Sequence, residues 1–297
     1  PVVRFILALG GACALQNDIL HWASDHRRHH AHVDNNDKDP YSAGRGFWYS
    51  HMGWILRDYE SGKVDFSNVK DLQRDPIVVW QHKHYLALVL LMNIGLPALL
   101  GFIGGDIIGS LLLGGLLRLV LSQHVTWLIN SLAHMWGKQT FSAASSARDN
   151  PLIALITYGE GYHNYHHTFQ WFISACSYVG LTSDLKRCSP IAIESARLEM
   201  QYRQATENYS NLKNSDKWLQ RLESEYQQLK TTLQVWGQHQ QSWYDAKSSE
   251  LHEKWTHWER IELRDSYREA KFKLKVQRQR WQDLVENYST LSAINPV

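Results

Sequence analysis

The sequence predicts an all-α integral membrane protein with one or more transmembrane helical hairpins, a cytoplasmic histidine-rich helical cap, and a C-terminal heptad-repeat helical hairpin or coiled coil. Three observations predict this class. Residues 85–103 form an uncharged apolar run of 19 residues, which as a helix is about 28 Å long and can cross a bilayer core. Thirteen of the 16 histidines lie before residue 168, most of them clustered. Beyond residue 190, apolar residues recur with heptad spacing.

The first elements are a partial membrane helix and a polar segment. In residues 1–16 only Arg4 interrupts the apolar run before Gln16, which predicts part of a membrane helix. The chain opens on Pro1 without the pattern of a signal peptide, and we expect its beginning to be absent. Residues 21–75 are polar and rich in Asp, Asn, Arg and Trp, which predicts a segment outside the membrane.

The next element is a membrane hairpin. Residues 76–136 contain two long apolar stretches divided at Gly104-Gly105-Asp106, which predicts a tight helical hairpin. Nine Lys and Arg lie in residues 21–83, whereas the hairpin tip carries only Asp106. The positive-inside rule therefore places the histidine-rich face in the cytoplasm. Arg118, inside the second stretch, is expected to be satisfied within the bundle or by snorkelling, and we assign it no role.

Charge and cysteine content exclude other classes. A net charge of +2, from 31 basic and 29 acidic residues, gives no electrostatic case for nucleic acid as a partner. Cys13, Cys176 and Cys188 are odd in number and widely spaced. They therefore indicate neither a disulfide framework nor a cysteine-ligated zinc site.

The chain divides into a membrane domain, residues 1–189, and a cytoplasmic helical extension, residues 190–297. Gly237 is the expected break between antiparallel helices of the extension. The heptads favour packing or self-association, including a homodimer, and docking of a redox partner through exposed Trp is the alternative. Its scattered histidines, His239, His252 and His257, are expected on the surface. Three heptad runs carry this prediction: Leu198, Tyr202, Ala205, Tyr209 and Leu212; Leu222, Tyr226, Leu229, Leu233 and Trp236; and Leu251, Trp255 and Trp258.

Two copies of His-x-x-His-His are the strongest motif. Residues 26–30 and 163–167 both carry it, and on a helix positions i, i+3 and i+4 share one face. A solvated surface or a pH switch would not need this spacing twice. With His134, where the second apolar stretch leaves the bilayer, the boxes supply seven imidazoles, which implies two metal ions. Imidazole alone admits Fe, Zn, Cu or Ni.

The membrane location narrows the chemistry. An apolar hairpin beside a cytoplasmic two-metal site suits a substrate whose hydrocarbon tail lies in the bilayer and whose polar head stays outside. Oxidising an unactivated C–H bond needs a strong oxidant, which iron with O₂ can supply and zinc cannot, because zinc has no redox chemistry. The sequence therefore predicts iron-dependent lipid chemistry.

Four stretches carry a family resemblance over residues 1–189. They are QNDILHWASDHRRHH (16–30), DPYSAGRGFWYSHMGW (39–54), NSLAHMWG (130–137) and GEGYHNYHHTF (159–169). In these the chain resembles the membrane fatty-acid desaturases, in particular the stearoyl-CoA (delta-9) acyl-CoA desaturases and their bacterial relatives. The resemblance implies a four-span fold with a cytoplasmic cap, two non-haem iron ions, and O₂-dependent insertion of a cis double bond, at delta-9, into a saturated acyl chain.

The resemblance also implies partners and residue roles. The substrate is a fatty acyl-CoA or acyl-lipid in the membrane, which for a bacterial protein is the cytoplasmic membrane. Electrons come from a cytochrome b5-like or a ferredoxin/reductase donor. The implied metal ligands are His26, His29, His30, His134, His163, His166 and His167, with Asn130 acting through a water. The implied substrate contacts are Gln16, Asn17, Trp22 and Asp25 at the acyl entrance, and Thr126 and Trp127 at the bend of the acyl tunnel.

Three departures from the family pattern qualify these expectations. No His-x-x-x-x-His box precedes Gln16, and the resemblance aligns His21 with a non-ligand position, so two ligands and the first hairpin are expected to be missing. A polar stretch after Gln170 looks deleted. Ser24 replaces the arginine usual before the second box, which weakens the case for coenzyme A.

Two other functions stay open at this stage. A related di-iron hydroxylase would carry similar boxes, although residues 130–137 and 159–169 favour the desaturases. A catalytically inactive membrane adaptor, acting through its heptad region, would explain the absent first box. Separately, the chain as given is expected to be inactive as a desaturase, because the first-box ligands are missing.

Overall fold

The computed structural model describes residues 2–169, 188–210, 215–247 and 256–286, and the named elements in these ranges are all helical. Contacts divide the chain into two units, residues 1–139 with 143–185 and residues 140–142 with 186–297. Some features singled out above lie outside the described residues: the shortened stretch after Phe169, and Cys176, Leu212, Leu251, His252 and Trp255.

The first unit is built from helices joined by short turns. Between residues 31 and 76 the chain forms short 3₁₀ turns and one helix, residues 47–56, which contains a π-helical turn at Tyr49–Gly53. The two longest helices of this unit, residues 85–104 and 107–134, each contain a π-helical turn, at Leu91–Gly95 and Leu111–Leu117. Besides residues 47–56, the helices are α1 (Val2–Ala14), α2 (Ile19–Ala31), α3 (Pro76–Lys83), α4 (Tyr85–Gly104), α5 (Ile107–His134), α6 (Pro151–Ile156) and α7 (His163–Phe169).

Helices α4 and α5 are long and apolar enough to cross a membrane. Their mean hydropathies are 2.3 and 1.4, and few of their residues are buried within the protein. Phe102, Ile103 and Ile108 are each more than 70% exposed. Large apolar side chains facing outward along a whole helix are expected where the surroundings are lipid. The predicted helical class with two candidate membrane-spanning helices is thereby confirmed.

The turn between α4 and α5 is as tight as the sequence predicts. Gly105 adopts a left-handed conformation with φ +83°, and the Asp106 carboxylate accepts a hydrogen bond from the Gly109 backbone N–H. A Cβ on Gly101 would lie 2.6 Å from the Asp106 carbonyl oxygen. Small residues of this kind let two membrane helices approach closely.

Arg118 lies within α5 and has partners inside the bundle. Its guanidinium donates to the Cys13 carbonyl at 2.7 Å and to the Asn93 amide oxygen at 2.5 Å. A third bond goes to the Gly114 carbonyl of the preceding turn. All three partners of the guanidinium are neutral oxygens. Because they lie on α1, α4 and α5, Arg118 links these three helices.

A sharp break separates α1 from α2. The two helix axes differ by 78°, and Leu15 and Asn17 take up the turn with positive φ angles of 50° and 70°. Asp18 then caps α2 by accepting from the Leu20 and His21 backbone N–H groups. Helix α2 is charged and rich in histidine, and lies outside the two candidate spans.

The second unit is a three-helix bundle of α8 (Pro190–Ser210), α9 (Ser215–Lys247) and α10 (His257–Glu286). Helix α8 runs antiparallel to α9 and parallel to α10, since the C-terminal Tyr209 lies beside Trp218 and donates to the Leu284 carbonyl. The fully buried core contains residues of the first two predicted runs together with α10: Leu198, Ala205, Tyr209, Leu222, Tyr226, Leu229, Leu233, Leu274, Trp281 and Leu284. Trp258, assigned to the third run, is 77% exposed.

The break expected at Gly237 is wrong. Helix α9 passes through this residue without interruption. A Cβ at Gly237 would lie 2.1 Å from Cδ1 of Ile191. The glycine is therefore explained by close helix packing, and the helix continues to the end of the described range at Lys247.

Candidate metal centre

Seven histidines of the first unit converge in two groups. In each group the ligand atoms lie within 4.8 Å of one another. The first group, here called cluster A, consists of His29, His134, His163 and His167; the second, cluster B, consists of His26, His30 and His166. Three helices, α2, α5 and α7, supply these side chains.

In cluster A the Nε2 atoms point at one another. The His29 and His167 Nε2 atoms are 3.2 Å apart, and His163 Nε2 lies 3.0 Å from those of both His134 and His167. The side chains of His29, His134 and His163 are almost fully buried. Cluster A is therefore a dry site lined by four imidazoles.

Cluster B is more open. The Nε2 atoms of His30 and His166 are 3.0 Å apart, and the His26 ring packs edge-on against His30. Trp22 stacks on His26 with ring centroids 4.6 Å apart. This tryptophan is 48% exposed, so it covers one side of cluster B.

Each histidine box is divided between the two clusters. Residues four apart on a helix lie on one stripe, whereas a residue three apart is offset around the axis. On α2 the pair His26 and His30 enters cluster B, and His29 enters cluster A. On α7 the pair His163 and His167 enters cluster A, and His166 enters cluster B. The two boxes are thus complementary.

Acidic groups hold two of the cluster A rings, one directly and one through a serine hydroxyl. His29 Nδ1 donates to the Asp39 carboxylate, at 2.9 and 3.0 Å from its two oxygens. Asp39 is fully buried. His134 Nδ1 lies 2.7 Å from the Ser146 hydroxyl, which donates to Asp34. Such partners fix the tautomer and orientation of a metal-binding histidine.

The turn before α7 is packed tightly against α6. The Gly161 carbonyl accepts from the Asn150 backbone N–H at 2.9 Å, and a Cβ on Gly161 would lie 2.1 Å from the Ala154 backbone nitrogen. The buried Asn164 amide donates to the Ala147 carbonyl at 2.9 Å. These contacts position the second box.

Four of the box histidines have a lowered pKa, which favours their uncharged form at neutral pH. Burial, followed by the neighbouring imidazoles, lowers the pKa of His26 and of His30 to about 3. Burial likewise places the pKa of His163 well below its ordinary value and lowers that of His166. Metal binding requires the neutral form of imidazole, and the site supplies it without a proton having to leave.

The donor set fits a metal better than a hydrogen-bonded network. A ring nitrogen bears either a proton or a lone pair, so one Nε2 atom cannot donate in one contact and accept in another. The Nε2 atoms of His163 and His167 are each in two contacts. Lone pairs directed at one cation would satisfy all four rings. The all-nitrogen set suits iron, and equally zinc, copper or nickel.

The residues predicted to contact substrate fall in two places. Gln16 and Asn17 form the break before α2, and Asp25, on α2, forms an ion pair with Arg28. Thr126 and Trp127 lie on α5, about one turn before Asn130, where the regular α-helix ends. No described contact joins Asn130 to the clusters, so its role as a ligand through water stays a prediction.

Sequence reasoning missed the residues behind the ligands. Asp39 begins the stretch 39–54, one of the four that carry the resemblance. Its position there was the one sequence signal that could have pointed to a role at the site. His51, in the same stretch, bonds to the Ser131 hydroxyl and to His124 Nδ1, at 3.0 and 3.1 Å. Trp127 packs edge-on against both of these histidine rings.

Comparisons with known proteins assign the first unit to a family. The model of the fatty acid desaturase family matches residues 1–172. The probable acyl-CoA desaturase of Schizosaccharomyces pombe is 43% identical over 168 residues, which is 56% of this chain and 35% of that protein. Stearoyl-CoA desaturase 5 of Bos taurus is 40% identical over 219 residues, 66% of this chain and 64% of the relative.

A lipid-acting relative is similar to the same degree. The sn-2 palmitoyl-lipid 9-desaturase of Nostoc is 40% identical over 173 residues, covering 56% of this chain and 58% of that protein. The chain spans from about one third to two thirds of the length of these relatives. With the family model matching more than half of it, this membrane protein belongs to the fatty acid desaturase family.

Proposed function

We propose that this protein is an O₂-dependent acyl desaturase that introduces a cis double bond, at the delta-9 position, into a saturated fatty acyl chain in unsaturated fatty acid biosynthesis. The observation that carries the proposal is the pair of histidine clusters, which divide seven imidazoles between two adjacent positions. Relatives named as acyl-CoA and acyl-lipid desaturases support the substrate class. An acyl-CoA is the proposed carrier.

Cluster A and cluster B would each hold one iron ion. Bound iron would supply the one-electron and oxygen chemistry that protein side chains lack. The Asp39 carboxylate keeps the proton of His29 on Nδ1, which leaves the Nε2 lone pair directed into cluster A. Burial of His163 and His29 excludes water from this cluster. Trp22, stacked on His26, would separate cluster B from bulk solvent.

Positioning of the acyl chain would decide where the double bond forms. The apolar α4 and α5 would lie in the membrane that holds the hydrocarbon tail, with the clusters and the C-terminus on the cytoplasmic side. Gln16, Asn17 and Asp25 would face the polar end of the substrate, and Thr126 and Trp127 would set the bend of the tail. Regioselectivity then follows from which carbons lie within reach of the metals.

Electrons would come from a cytochrome b5-like or ferredoxin-type donor. The three-helix bundle of the second unit is proposed as a module for self-association. The bacterial affiliation implied by the resemblance stays a prediction.

Fatty acid analysis of a desaturase-deficient host tests the function. The full chain is expressed alone and, in a second version, behind a segment that carries a His-x-x-x-x-His box. A new monounsaturated acid is expected from the extended version, and His163→Asn in that version should abolish it. His84→Asn is the matched control, because this histidine is exposed and lies outside both clusters. A hydroxy acid would instead favour the hydroxylase, and an unchanged profile from a metal-loaded protein would favour the adaptor.

A further inference from the structure

A third group of metal-ligating side chains lies outside clusters A and B. It consists of Asp18, His21 and His82, whose ligand atoms are all within 4.8 Å of one another. Asp18 and His21 come from the start of α2, and His82 comes from α3, more than 60 residues later in the chain. The family resemblance gives His21 no ligand role and leaves His82 without any role.

Both imidazoles face the same carboxylate. His21 Nδ1 is 2.5 Å from Asp18 Oδ2, and His82 Nδ1 is 3.0 Å from Asp18 Oδ1. The Asp18 side chain is 7% exposed, whereas the His21 and His82 side chains are 29% and 34% exposed. The acid is therefore held inside the protein, while solvent reaches the two rings.

The surrounding structure fixes all three side chains. Asp18 Oδ1 caps α2 by accepting from two backbone N–H groups. Next to His82, Gln81 accepts a hydrogen bond from the Ile19 backbone N–H at 3.1 Å, which joins α3 to the start of α2. Phe66 packs edge-on against the rings of both His21 and His82, with centroids 4.7 and 5.7 Å apart.

Hydrogen bonding alone does not satisfy this group. Although His82 Nδ1 lies 3.0 Å from Asp18 Oδ1, it is a buried nitrogen without an aligned hydrogen-bond partner among the described residues. A misaligned contact leaves this buried nitrogen poorly satisfied, and a cation bound by the carboxylate and the two rings would satisfy it. Two imidazoles and one carboxylate are a common three-ligand set for divalent transition metals, with further positions open to water.

We propose that Asp18, His21 and His82 form a third metal site, which binds a divalent first-row transition ion such as Zn²⁺. The ion would join the N-terminus of α2 to the C-terminal turn of α3. Partial exposure of both rings gives the ion access from solvent and leaves room for one or more water ligands. The site would stabilise the break between α1 and α2, where the predicted acyl-entrance residues Gln16 and Asn17 lie.

Counting metal ions in matched variants tests the site. The full chain is purified in detergent, loaded with Zn²⁺, and compared with Asp18→Asn, His82→Asn and the control His84→Asn. Asparagine caps a helix about as well as aspartate, so Asp18→Asn removes the charge while keeping the cap. His84 lies two residues from His82 and bonds only to the Trp80 carbonyl among the described residues.

Wild type and His84→Asn are expected to bind one more Zn²⁺ per chain than Asp18→Asn and His82→Asn. The affinity lost should exceed the about 10–100-fold that removal of an outer-shell partner costs. Added Zn²⁺ should raise the unfolding temperature of protein with preloaded clusters, and the His82 variant should lose this increase.

Equal metal content and equal affinity in wild type, Asp18→Asn and His82→Asn would overturn the proposal. The His163→Asn variant separates this result from a failure of clusters A and B, because it should lower their metal content and leave the third ion bound. Should Asp18→Asn not fold, His82→Asn decides alone, since it changes a partly exposed side chain at the end of α3.

Discussion

Replacement of Asp39 by Asn is expected to weaken metal binding at cluster A. In the native protein both carboxylate oxygens accept from His29 Nδ1, and each also accepts a backbone N–H, from Asp34 and from Tyr41, at 3.1 Å. Asparagine replaces one oxygen with an NH₂ group, which would face one of these donors. Its amide can also donate to His29 Nδ1, which shifts the ring proton to Nε2.

The tautomer shift sets the size of the effect. A protonated Nε2 cannot bind a metal. His29 must therefore return to the other tautomer before an ion binds, and the free energy of that change reduces the affinity. Loss of such an outer partner typically costs 10–100-fold in metal affinity, which is about 1.4 to 2.7 kcal/mol. Because Asp39 is fully buried, solvent cannot replace the missing acceptor, and we expect the upper part of this range.

A chelator competition measures the change. Fe²⁺ or Co²⁺ is titrated into the purified full chain against a chelator of known affinity, and the two site affinities are fitted separately. Asp37→Asn is the control, because it makes the same substitution in the same loop on an exposed side chain. If Asp39→Asn binds both ions as tightly as Asp37→Asn does, the proposed role of Asp39 is wrong.

Three further predictions concern acid stability, the turn before α7, and the second unit. The pKa values of His26 and His30 fall to about 3 on folding, so below about pH 6.5 the unfolded chain binds more protons than the folded protein. The free energy of unfolding of the metal-free protein, measured in urea, should therefore be highest above about pH 6.5 and fall between about pH 6.5 and 3. Gly161→Ala should lower the metal content and destabilise the protein by about 1–3 kcal/mol, because its Cβ would overlap backbone atoms. Gly62→Ala, whose Cβ meets nothing within 4 Å, should leave stability unchanged. Equal unfolding temperatures of the two variants would contradict the packing argument. Tyr209→Phe should cost about 0.5–1.5 kcal/mol in urea unfolding, since it removes the buried hydrogen bond from its hydroxyl to the Leu284 carbonyl. A loss no larger than that of Tyr244→Phe, at an exposed position, would count against it.

Local patterns in the sequence predicted much of the site. The spacing of His163, His166 and His167 is a property of one helix turn, so their common origin on α7 follows without tertiary information. Hydropathy likewise predicted α4, α5 and the turn at Gly105, because lipid-facing helices must be apolar along their whole length. The four stretches that carry the family resemblance agree with the family match over residues 1–172.

Long-range packing decided what these patterns could not. The sequence treated each box as one unit, whereas the fold divides each between two clusters, because His29 and His166 lie offset around their helices from their neighbours. It predicted a break at Gly237, where the packed helices instead require a residue without a side chain.

By itself the sequence determined that the protein is helical and apolar over two long segments, and that it carries two sets of imidazoles with the same spacing. Those properties depend on residues within a few positions of one another, whose spacing fixes which face they share. The tertiary structure alone decided that Asp39 supports His29, and that His82 reaches Asp18 across more than 60 residues. Contacts between distant segments depend on how whole helices pack, and no local spacing encodes that.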